Sequence, residues 1–556
     1  MRGHSNSHLL LLIALAAAIP RVYLGSTQHI DYDGYWHVFI AMQDKWEIFW
    51  REYQANFHPP LFYLMLKVSR WFGKSALVYR GISILTGVGS VFVVGKIAEK
   101  LSLWKYTPAI AALSYGFALP SIIISNEVRS YMLCVFFVLA SFYYFLDILD
   151  GCSHLKFRIG FAVLAILAIG SHYSASFYVF ACGLVAGVFG ILSFRRNFLN
   201  RVVLDLATFL PIASFGALMY YTHAQSHATI AANYLSDFYF QPGGEERLTA
   251  FLFRNAQYLF NSFSPVEVGT HSQFGMVLAF LVFAAGFMVY LIRRPLLENA
   301  RAAATALTAA FILGSIIAGG IMGKYPFGGY LRQQFILFPF AVICGCILLD
   351  RSADALSHRR LDTPLVVAVT LLSVGVSGER FYRFPKVPTE IYTAEMTRFR
   401  QTFPSHAAVY VDQFNLIIFF VHYHDWNWEF SGRNPAVPSI EIYRVSKGTE
   451  QFLLLRDKAR WNADVGDSVW YSELAAVIRS QPLPSITTFN IRQFPESIDT
   501  EKNVALADRI VELASAAKLC VNKPSLVTVL SAYVELTDGP CRPKVQSRLP
   551  SLIFKS

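Results

Sequence analysis

Charged residues are scarce in this chain. Asp, Glu, Lys and Arg make up 15% of its 556 residues, whereas soluble domains contain about 25%. The sequence also lacks a Walker loop, a dinucleotide-binding fingerprint and a Cys-x-x-Cys pair, which argues against the soluble enzymes that those motifs mark. Hydrophobic residues reach 54%. This balance is explained if much of the protein surface faces lipid.

Long apolar runs support that explanation. Several reach the roughly 20 residues that a helix needs to cross a bilayer, and we expect about eleven transmembrane helices. They lie at 8–20, 77–95, 107–124, 131–149, 159–171, 177–194, 202–221, 274–292, 302–322, 333–349 and 363–377. The first run resembles a signal peptide, but Pro20 and Arg21 follow it without a small-x-small cleavage pattern. We therefore expect a retained first helix.

The net charge of +11 would suggest nucleic-acid binding in a soluble protein, but its placement indicates membrane topology instead. Basic clusters lie near 96–105, 156–158, 195–201, 293–301 and 351–360. With eleven crossings, all of them fall on the side of the N-terminus. Short basic loops stay in the cytoplasm. The N-terminus is thus expected inside and everything after 377 outside, with no nucleic-acid partner.

The composition changes after residue 377, so we predict a membrane domain at 1–377 and an extramembrane mixed α/β domain at 378–556. Alternating segments at 408–411 and 440–443 are typical of strands. Helical periodicity appears at 388–401 and 500–518. The predicted fold class is therefore a polytopic α-helical membrane protein with a C-terminal α/β domain.

The C-terminal part also holds two isolated cysteines, Cys520 and Cys541. An oxidising compartment would let them pair, so we expect a disulfide between them. His422, His424 and Asp425 are close enough in sequence to suggest a metal site, but two histidines at i and i+2 are a weak signal. We expect no metal and no cofactor.

Polar residues gather on the predicted outer loops. Ionisable groups at a membrane edge are costly unless they pair or line a wet cavity, so their concentration on one face predicts one shared cavity. The candidate residues are Asp31, Asp33, His37, His58, Glu127, Arg129, His172, Lys324 and Arg332.

These residue types suit a phosphate-bearing lipid substrate. Asp31 and Asp33 offer a general base, while Arg129, Lys324 and Arg332 offer positive charge for a phosphate. The adjacent glycines at 328–329 would let the backbone approach a ligand closely. A polyprenyl-phosphate sugar fits this combination.

Structural explanations compete with each of these assignments. The loop aspartates could be solvated, and the histidines at 37, 58 and 172 could cap helices or bond within their loops. Glu127 and Arg129 could form a structural ion pair, and Lys324 could extend to the membrane interface. The first-loop Trp and Tyr residues could anchor the chain at that interface.

Three motifs occur in a recognisable order. Asp33-x-x-x-His37 follows the first helix, His58-Pro-Pro-Leu-Phe-Tyr63 opens a predicted surface helix over 59–72, and Glu127-x-Arg129-x-Tyr131 joins two spans. Together they resemble the GT-C membrane glycosyltransferases, in particular the protein O-mannosyltransferase and aminoarabinose-transferase superfamily with its bacterial members of unknown substrate. The resemblance covers about 8–350.

The resemblance implies an inverting transfer from a polyprenyl-phosphate-linked sugar, with Asp33 as the catalytic aspartate and with Arg129 and Arg332 near the donor phosphate. It also implies a bacterial inner membrane. The acceptor could be a glycan, a lipid or a protein. Family members often have Asp-Glu in the first loop, but here Gly34 follows Asp33. Asp31 could replace the missing carboxylate, or the site could work with one acid.

Two other classes of function compete with an enzyme. A transporter or flippase of lipid-linked sugars would favour repeated halves and polar groups near the membrane midplane, and the sequence shows neither. A scaffold that only presents the C-terminal domain would have no need for Asp, His and Arg on several outer loops. The sequence therefore favours a glycosyltransferase.

Overall fold

The computed structural model describes most of the chain and divides it into two compact units. One unit comprises 1–28 and 50–386, and the other comprises 29–49 and 387–556. The residues described are 7–149, 154–192, 198–226, 235–263, 300–355, 396–397, 399–401, 408–461, 467–481, 483, 485–491, 500–521, 526–527 and 531–539.

The first unit is helical. In chain order, the described helices up to Ala355 are α1 Ser7–Thr27, α2 Tyr32–Ala41, α3 Trp46–Gln54, α4 Pro60–Ser69, α5 Ala76–Leu101, α6 Thr107–Gly116, α7 Leu119–Asn126, α8 Tyr131–Leu149, α9 Leu155–Ser171, α10 Ala175–Leu192, α11 Phe198–Met219, α12 Leu248–Phe263, α13 Ala300–Ile321, α14 Leu331–Gln334 and α15 Phe338–Ala355. Of these, α2 belongs to the second unit, and the boundary between the two units falls within α3. Short 3₁₀ turns follow α4 and α14, and a π-helical turn, Tyr220–Ala224, continues α11.

The apolar helices make this a polytopic membrane protein. Among the described residues, seven helices are long and apolar enough to cross a membrane, and the bent pair α6–α7 gives an eighth. Nine of the eleven predicted runs coincide with helices or helix pairs, including the 17-residue α9. The predicted spans 274–292 and 363–377 lie outside the described residues.

The first helix is longer than its apolar run. It continues through Pro20 and Arg21 to Thr27, and Arg21 is completely buried. The predicted surface helix is α4, which begins at Pro60 as expected for proline in a first helical turn. The 3₁₀ turn after it leaves Trp71 and Phe72 more than three-quarters exposed.

The second unit is built on an eight-stranded sheet. The strands are β1 Ala408–Asp412, β2 Asn427–Arg433, β3 Ile440–Lys447, β4 Glu450–Asp457, β5 Ile486–Ile491, β6 Leu519–Val521, β7 Leu526–Val527 and β8 Ser531–Asp538. Their order is β2-β3-β4-β1-β5-β8-β6, and β7 pairs with β8. Only β1 forms parallel pairs, with β4 and β5, and the other described pairs are antiparallel.

Helices cover both faces of this sheet. Tyr410 of β1 packs on Trp470 of α17 (Ser468–Ser480), and α18 (Thr500–Ala516) joins the same core through Ile510. On the other face, Phe419 of α16 (Gln413–Tyr423) contacts Phe452 and Phe489. The C-terminal α/β domain and its strands at 408–411 and 440–443 are thus present, as is a helix over 500–516.

The units divide the chain differently from the predicted domains 1–377 and 378–556. The boundary lies between 386 and 387, and the segment 29–49 belongs to the second unit although it precedes most of the helical unit in sequence. Hydropathy could not reveal this, because it measures lipid-facing runs and not long-range packing. Cys520 is disulfide-bonded. Its expected partner, Cys541, lies outside the described residues, as does most of the predicted helix at 388–401.

Candidate active site

The first-loop helix α2 carries three of the predicted site residues. Asp31 is its N-cap, and its Oδ1 atom accepts a hydrogen bond from the Gly34 amide at 3.0 Å. This bond satisfies one of the amides that a helix start leaves without a backbone partner. Asp33 lies in the first turn, where a carboxylate is favoured by the helix dipole. His37 follows one turn later and is buried.

In the helical unit, three predicted segments meet. The imidazole rings of His58 and His172 have centroids 5.2 Å apart, and Tyr131 lies 5.8 Å from His58 and 4.6 Å from His172. His58 precedes α4, Tyr131 begins α8, and His172 ends α9. These three segments, which are far apart in sequence, therefore come together within the helical unit, while their place on the outer side of the membrane stays a prediction.

Arg129 brings a buried positive charge to this group. It is 4% exposed, and its Nε atom lies 3.9 Å from Glu127 Oε2, at the long limit of an ion pair. Burial and the nearby Arg129 guanidinium lower the pKa of His172 to about 3. His172 is therefore neutral at physiological pH.

Hydrogen bonds define how neutral His172 is oriented. The amide of Ser174 donates to His172 Nδ1 at 3.1 Å, and the Ser174 hydroxyl lies 2.8 Å from the same atom. Because Nδ1 accepts a bond from the amide, the proton of the neutral ring is assigned to Nε2. His172 can thus donate one hydrogen bond to a ligand without adding charge.

The segment from Lys324 to Gln334 borders the same region. Tyr325 packs edge-on against Phe177 at 4.8 Å, and its hydroxyl donates to the Gln333 carbonyl at 2.7 Å. Burial raises the pKa of Tyr325, while a hydrogen bond with the Ser174 side chain partly opposes that shift. Tyr325 therefore lies within reach of the residue that orients His172.

The glycine pair in this segment has a structural explanation. Gly328 and Gly329 have φ angles of +79° and +73°, which favour glycine. A Cβ atom on Gly328 would lie 2.8 Å from the Asn255 carbonyl oxygen, and one on Gly329 would lie 2.9 Å from the Phe238 ring. Protein packing therefore already requires glycine at both positions, and the close approach of a ligand to this pair stays a prediction.

The two predicted cations of this segment differ in their surroundings. Lys324 is exposed. Arg332 is half-buried at the start of α14, and its guanidinium carbon lies 5.0 Å from the Tyr330 ring centre. At that distance a cation–π interaction orients the guanidinium.

The part of the chain that the structure describes contains no group of three or more His, Cys, Asp or Glu residues able to hold a metal. In the weak candidate at 422–425, His424 Nδ1 is hydrogen-bonded to the Val421 carbonyl at 2.8 Å. Asp425 forms an ion pair with Lys447. Both side chains therefore have structural partners.

Comparison with solved structures identifies the fold. The chain aligns with ArnT from Cupriavidus metallidurans in the apo state at 12% identity and a TM-score of 0.52, covering 96% of this chain and 98% of that chain. The chain has a GT-C fold. ArnT bound to undecaprenyl phosphate aligns at 12% identity and a TM-score of 0.49, with the same coverage. AglB from Archaeoglobus fulgidus, in complex with an inhibitory peptide and a dolichol-phosphate, aligns at 12% identity and 0.45, covering 93% and 72%. No family model and no curated protein sequence matches the chain.

In the helical unit, a second polar aromatic group lies beside the predicted residues. His223 stacks on Tyr53 with centroids 4.7 Å apart, and its Nδ1 atom lies 2.6 Å from the Tyr173 hydroxyl. His223 sits in the π-helical turn after α11, a local geometry that is frequent at functional sites. Sequence reasoning missed Tyr53 and His223. The only available signal was Tyr173, which adjoins the predicted His172.

Proposed function

We propose that the protein transfers a sugar, with inversion, from a polyprenyl-phosphate-linked donor to an acceptor hydroxyl at the outer face of a bacterial inner membrane. The observation that carries this proposal is the meeting of His58, Arg129, Tyr131 and His172, which come from separate segments of the helical unit. A buried guanidinium next to a neutral imidazole, at a place where separate segments of the chain meet, is an arrangement suited to binding an anion. The GT-C fold supports the same class of reaction.

The buried arginine is suited to the donor phosphate. A guanidinium makes paired hydrogen bonds to phosphate oxygens and stays charged when buried. The Nε2 proton of neutral His172 supplies a further donor, and His58 lies beside it. We also propose that Glu127, Lys324 and Arg332 contribute to donor binding. Positive charge here stabilises the departing phosphate, where negative charge accumulates during the reaction.

Asp33 is the proposed general base, with His37 one helical turn away as a substrate contact. The Asp33 carboxylate removes the proton of the acceptor hydroxyl, and the resulting alkoxide oxygen attacks the anomeric carbon. The bond from that carbon to the phosphate oxygen breaks, and its electron pair leaves with the phosphate. Attack from the face opposite the phosphate inverts the configuration. Asp31 already caps α2, so we assign it a supporting role.

The experiment uses full-length protein in nanodiscs with a panel of undecaprenyl-phosphate-linked monosaccharides and a membrane extract as acceptor. Release of undecaprenyl phosphate and sugar transfer are both followed. D33N is expected to abolish transfer without changing the dissociation constant for undecaprenyl phosphate. R129A is expected to weaken that binding by about tenfold or more. The exposed carboxylate Asp44 provides a matched control, since D44N should retain transfer.

Two results would contradict the proposal. Normal transfer by D33N would remove Asp33 as the base, and unchanged lipid affinity in R129A would remove Arg129 from the phosphate site. The transporter alternative makes a different prediction, because a flippase moves the lipid-linked sugar across the bilayer without releasing free polyprenyl phosphate. Reporter fusions at both termini test the predicted cytoplasmic N-terminus and periplasmic C-terminal domain.

A further inference from the structure

The helix that carries Asp33 is intrinsically weak. It has ten residues, and isolated helices shorter than about 12–15 residues are marginal in water. Gly34 lies in its first turn, where glycine disfavours a helix by about 1 kcal/mol relative to alanine. Tertiary contacts must therefore supply most of the stability of α2.

Four aromatic residues along one side of α2 make those contacts with the C-terminal α/β domain: Tyr32, Tyr35, Trp36 and Phe39. In the first half of α2, Tyr32 stacks on Phe414 with centroids 5.2 Å apart, and its hydroxyl donates to the Phe414 carbonyl at 3.3 Å. Trp36 packs on Trp461 at 5.7 Å. These contacts fix the turn in which Asp33 lies.

The second half of α2 is more deeply buried. Phe39 is completely buried, and its ring lies 5.5 Å from Phe420, 6.0 Å from Trp428 and 6.1 Å from Tyr443. The Arg456 guanidinium carbon lies 5.2 Å from the same ring. Side-chain packing and a cation–π interaction thus lock this end of the helix.

Arg456 is itself held in place. It is 1% exposed, its Nη1 atom lies 3.4 Å from Glu441, and its Nη2 atom donates to Gln413 at 2.8 Å. Glu441 belongs to β3 and Gln413 begins α16. The platform under Phe39 is therefore part of the rigid core of the α/β domain.

The aromatic side of α2 leaves Asp33 on another face. Successive residues turn by about 100° around a helix, so Asp33 and His37 share one face. That face lies roughly 100–140° from the stripe of Tyr32, Tyr35, Trp36 and Phe39. Docking through the stripe consequently sets the direction in which Asp33 points.

We infer that the C-terminal α/β domain positions the helix that presents the proposed general base, Asp33. Phe414, Phe420, Trp461 and Arg456 act as positioning residues. This inference rests on the proposed function. It assigns the domain a role in the reaction itself, beyond any selection of the acceptor.

Trp461 offers the cleanest perturbation, because it is 50% exposed and its loss should cost the domain little stability. In W461A, kcat with the same donor panel should fall by about tenfold or more, since a misplacement of about 1 Å can cost 10²-fold. The dissociation constant for undecaprenyl phosphate should stay unchanged. W461F keeps an aromatic contact and should recover most of the loss. Hydrogen exchange of the 32–41 amides should accelerate in W461A and return towards normal in W461F.

Phe452 provides the matched control. It is a buried aromatic of the same domain that contacts Phe419, Tyr423 and Trp426. Phe419 and Tyr423 belong to α16, and Trp426 follows that helix. F452A should destabilise the domain more than W461A while reducing kcat less. Equal kcat losses in the two variants would indicate general destabilisation and overturn the inference.

The outcomes also separate this inference from the proposed function. If D33N is inactive while W461A keeps both normal kcat and normal protection of 32–41, the positioning role fails and the reaction stands. If D33N is active, Asp33 is not the base. In that case the exchange measurement still tests whether the domain anchors α2, and unchanged protection in W461A refutes the anchoring.

Discussion

Replacing Arg21 should destabilise the break between α6 and α7. Pro120 has no amide N–H, so it cannot donate to the Gly116 carbonyl as a helix would require. Arg21 Nη1 donates to that carbonyl at 2.7 Å, and its other nitrogens donate to Ser121 at 2.7 Å and Ser125 at 3.0 Å. Backbone groups freed inside a membrane must find another partner, and Arg21 is that partner here.

The cost of R21M follows from the groups that it leaves unpaired. The Gly116 carbonyl loses its partner, which costs about 1–3 kcal/mol when buried. Ser121 loses a charged donor, at about 1 kcal/mol, whereas Ser125 keeps its bond to the Ser121 carbonyl at 2.6 Å. Removing the guanidinium also removes its own burial cost. The two losses together amount to about 2–4 kcal/mol, and the recovered burial cost reduces the net loss to about 1–3 kcal/mol.

Thermal unfolding in nanodiscs measures this effect. A loss of this size should lower Tm by about 1–4 °C, because the unfolding entropy grows by about 2.1 cal/mol/K per residue and the helical unit is large. L15A serves as the control, since Leu15 is an exposed residue of the same helix, and its Tm should change little. S121A should show a smaller decrease than R21M. A Tm for R21M equal to that of the wild type would refute the conclusion that Arg21 stabilises the broken span.

Three further perturbations test other parts of the description. D31A should destabilise α2 by about 1 kcal/mol through loss of its cap and lower kcat modestly, whereas D31S should retain the cap and the activity. Transfer rates and hydrogen exchange of the 32–41 amides measure the two effects, and a D31A rate as low as that of D33N would contradict a capping role. G328A should lower Tm and expression, because its positive φ and the contact with Asn255 leave no room for a Cβ; an unchanged Tm would contradict that packing. The folded-state pKa of His172 lies below its unfolded value of about 6.5, so only the unfolded state takes up a proton as pH falls below about 6.5, and stability decreases there. Between pH 7.5 and 5 this protonation lowers the free energy of unfolding by at most about 2 kcal/mol. Measurements of Tm against pH should show that H172Q lacks this decrease. An identical decrease at acid pH in H172Q and the wild type would argue against a buried neutral His172.

Much of the helical unit could be predicted because lipid-facing helices leave a direct signature in sequence. Runs such as 131–149 and 302–322 coincide with α8 and α13 to within two residues. The end of α1 could not be predicted in this way. Arg21 ends the apolar run, and its tolerance inside the membrane depends on Gly116, Ser121 and Ser125, about a hundred residues further along the chain.

The candidate site was predictable where a local motif carried it. His58, Arg129 and His172 each stood in a distinctive stretch of a predicted outer loop, and the structure brings these segments together. Tyr53 and His223 were missed because their pairing is non-local and neither has a distinctive neighbour in sequence. Asp33 was proposed from its motif, but the packing of α2 on the α/β domain depends on aromatic contacts that no periodicity within 29–49 could specify.

The long separation between α2 and its platform affects how the protein is made. Tyr32 and Phe414 are 382 residues apart, and translation at about 5–20 residues per second needs roughly 20–80 s to cover that distance. During this time the first loop has no docking surface, although the helices that flank it have already been synthesised. The contacts that hold α2 therefore form only after the chain has been made as far as Trp461, so a truncation before that residue should leave α2 without its docking surface.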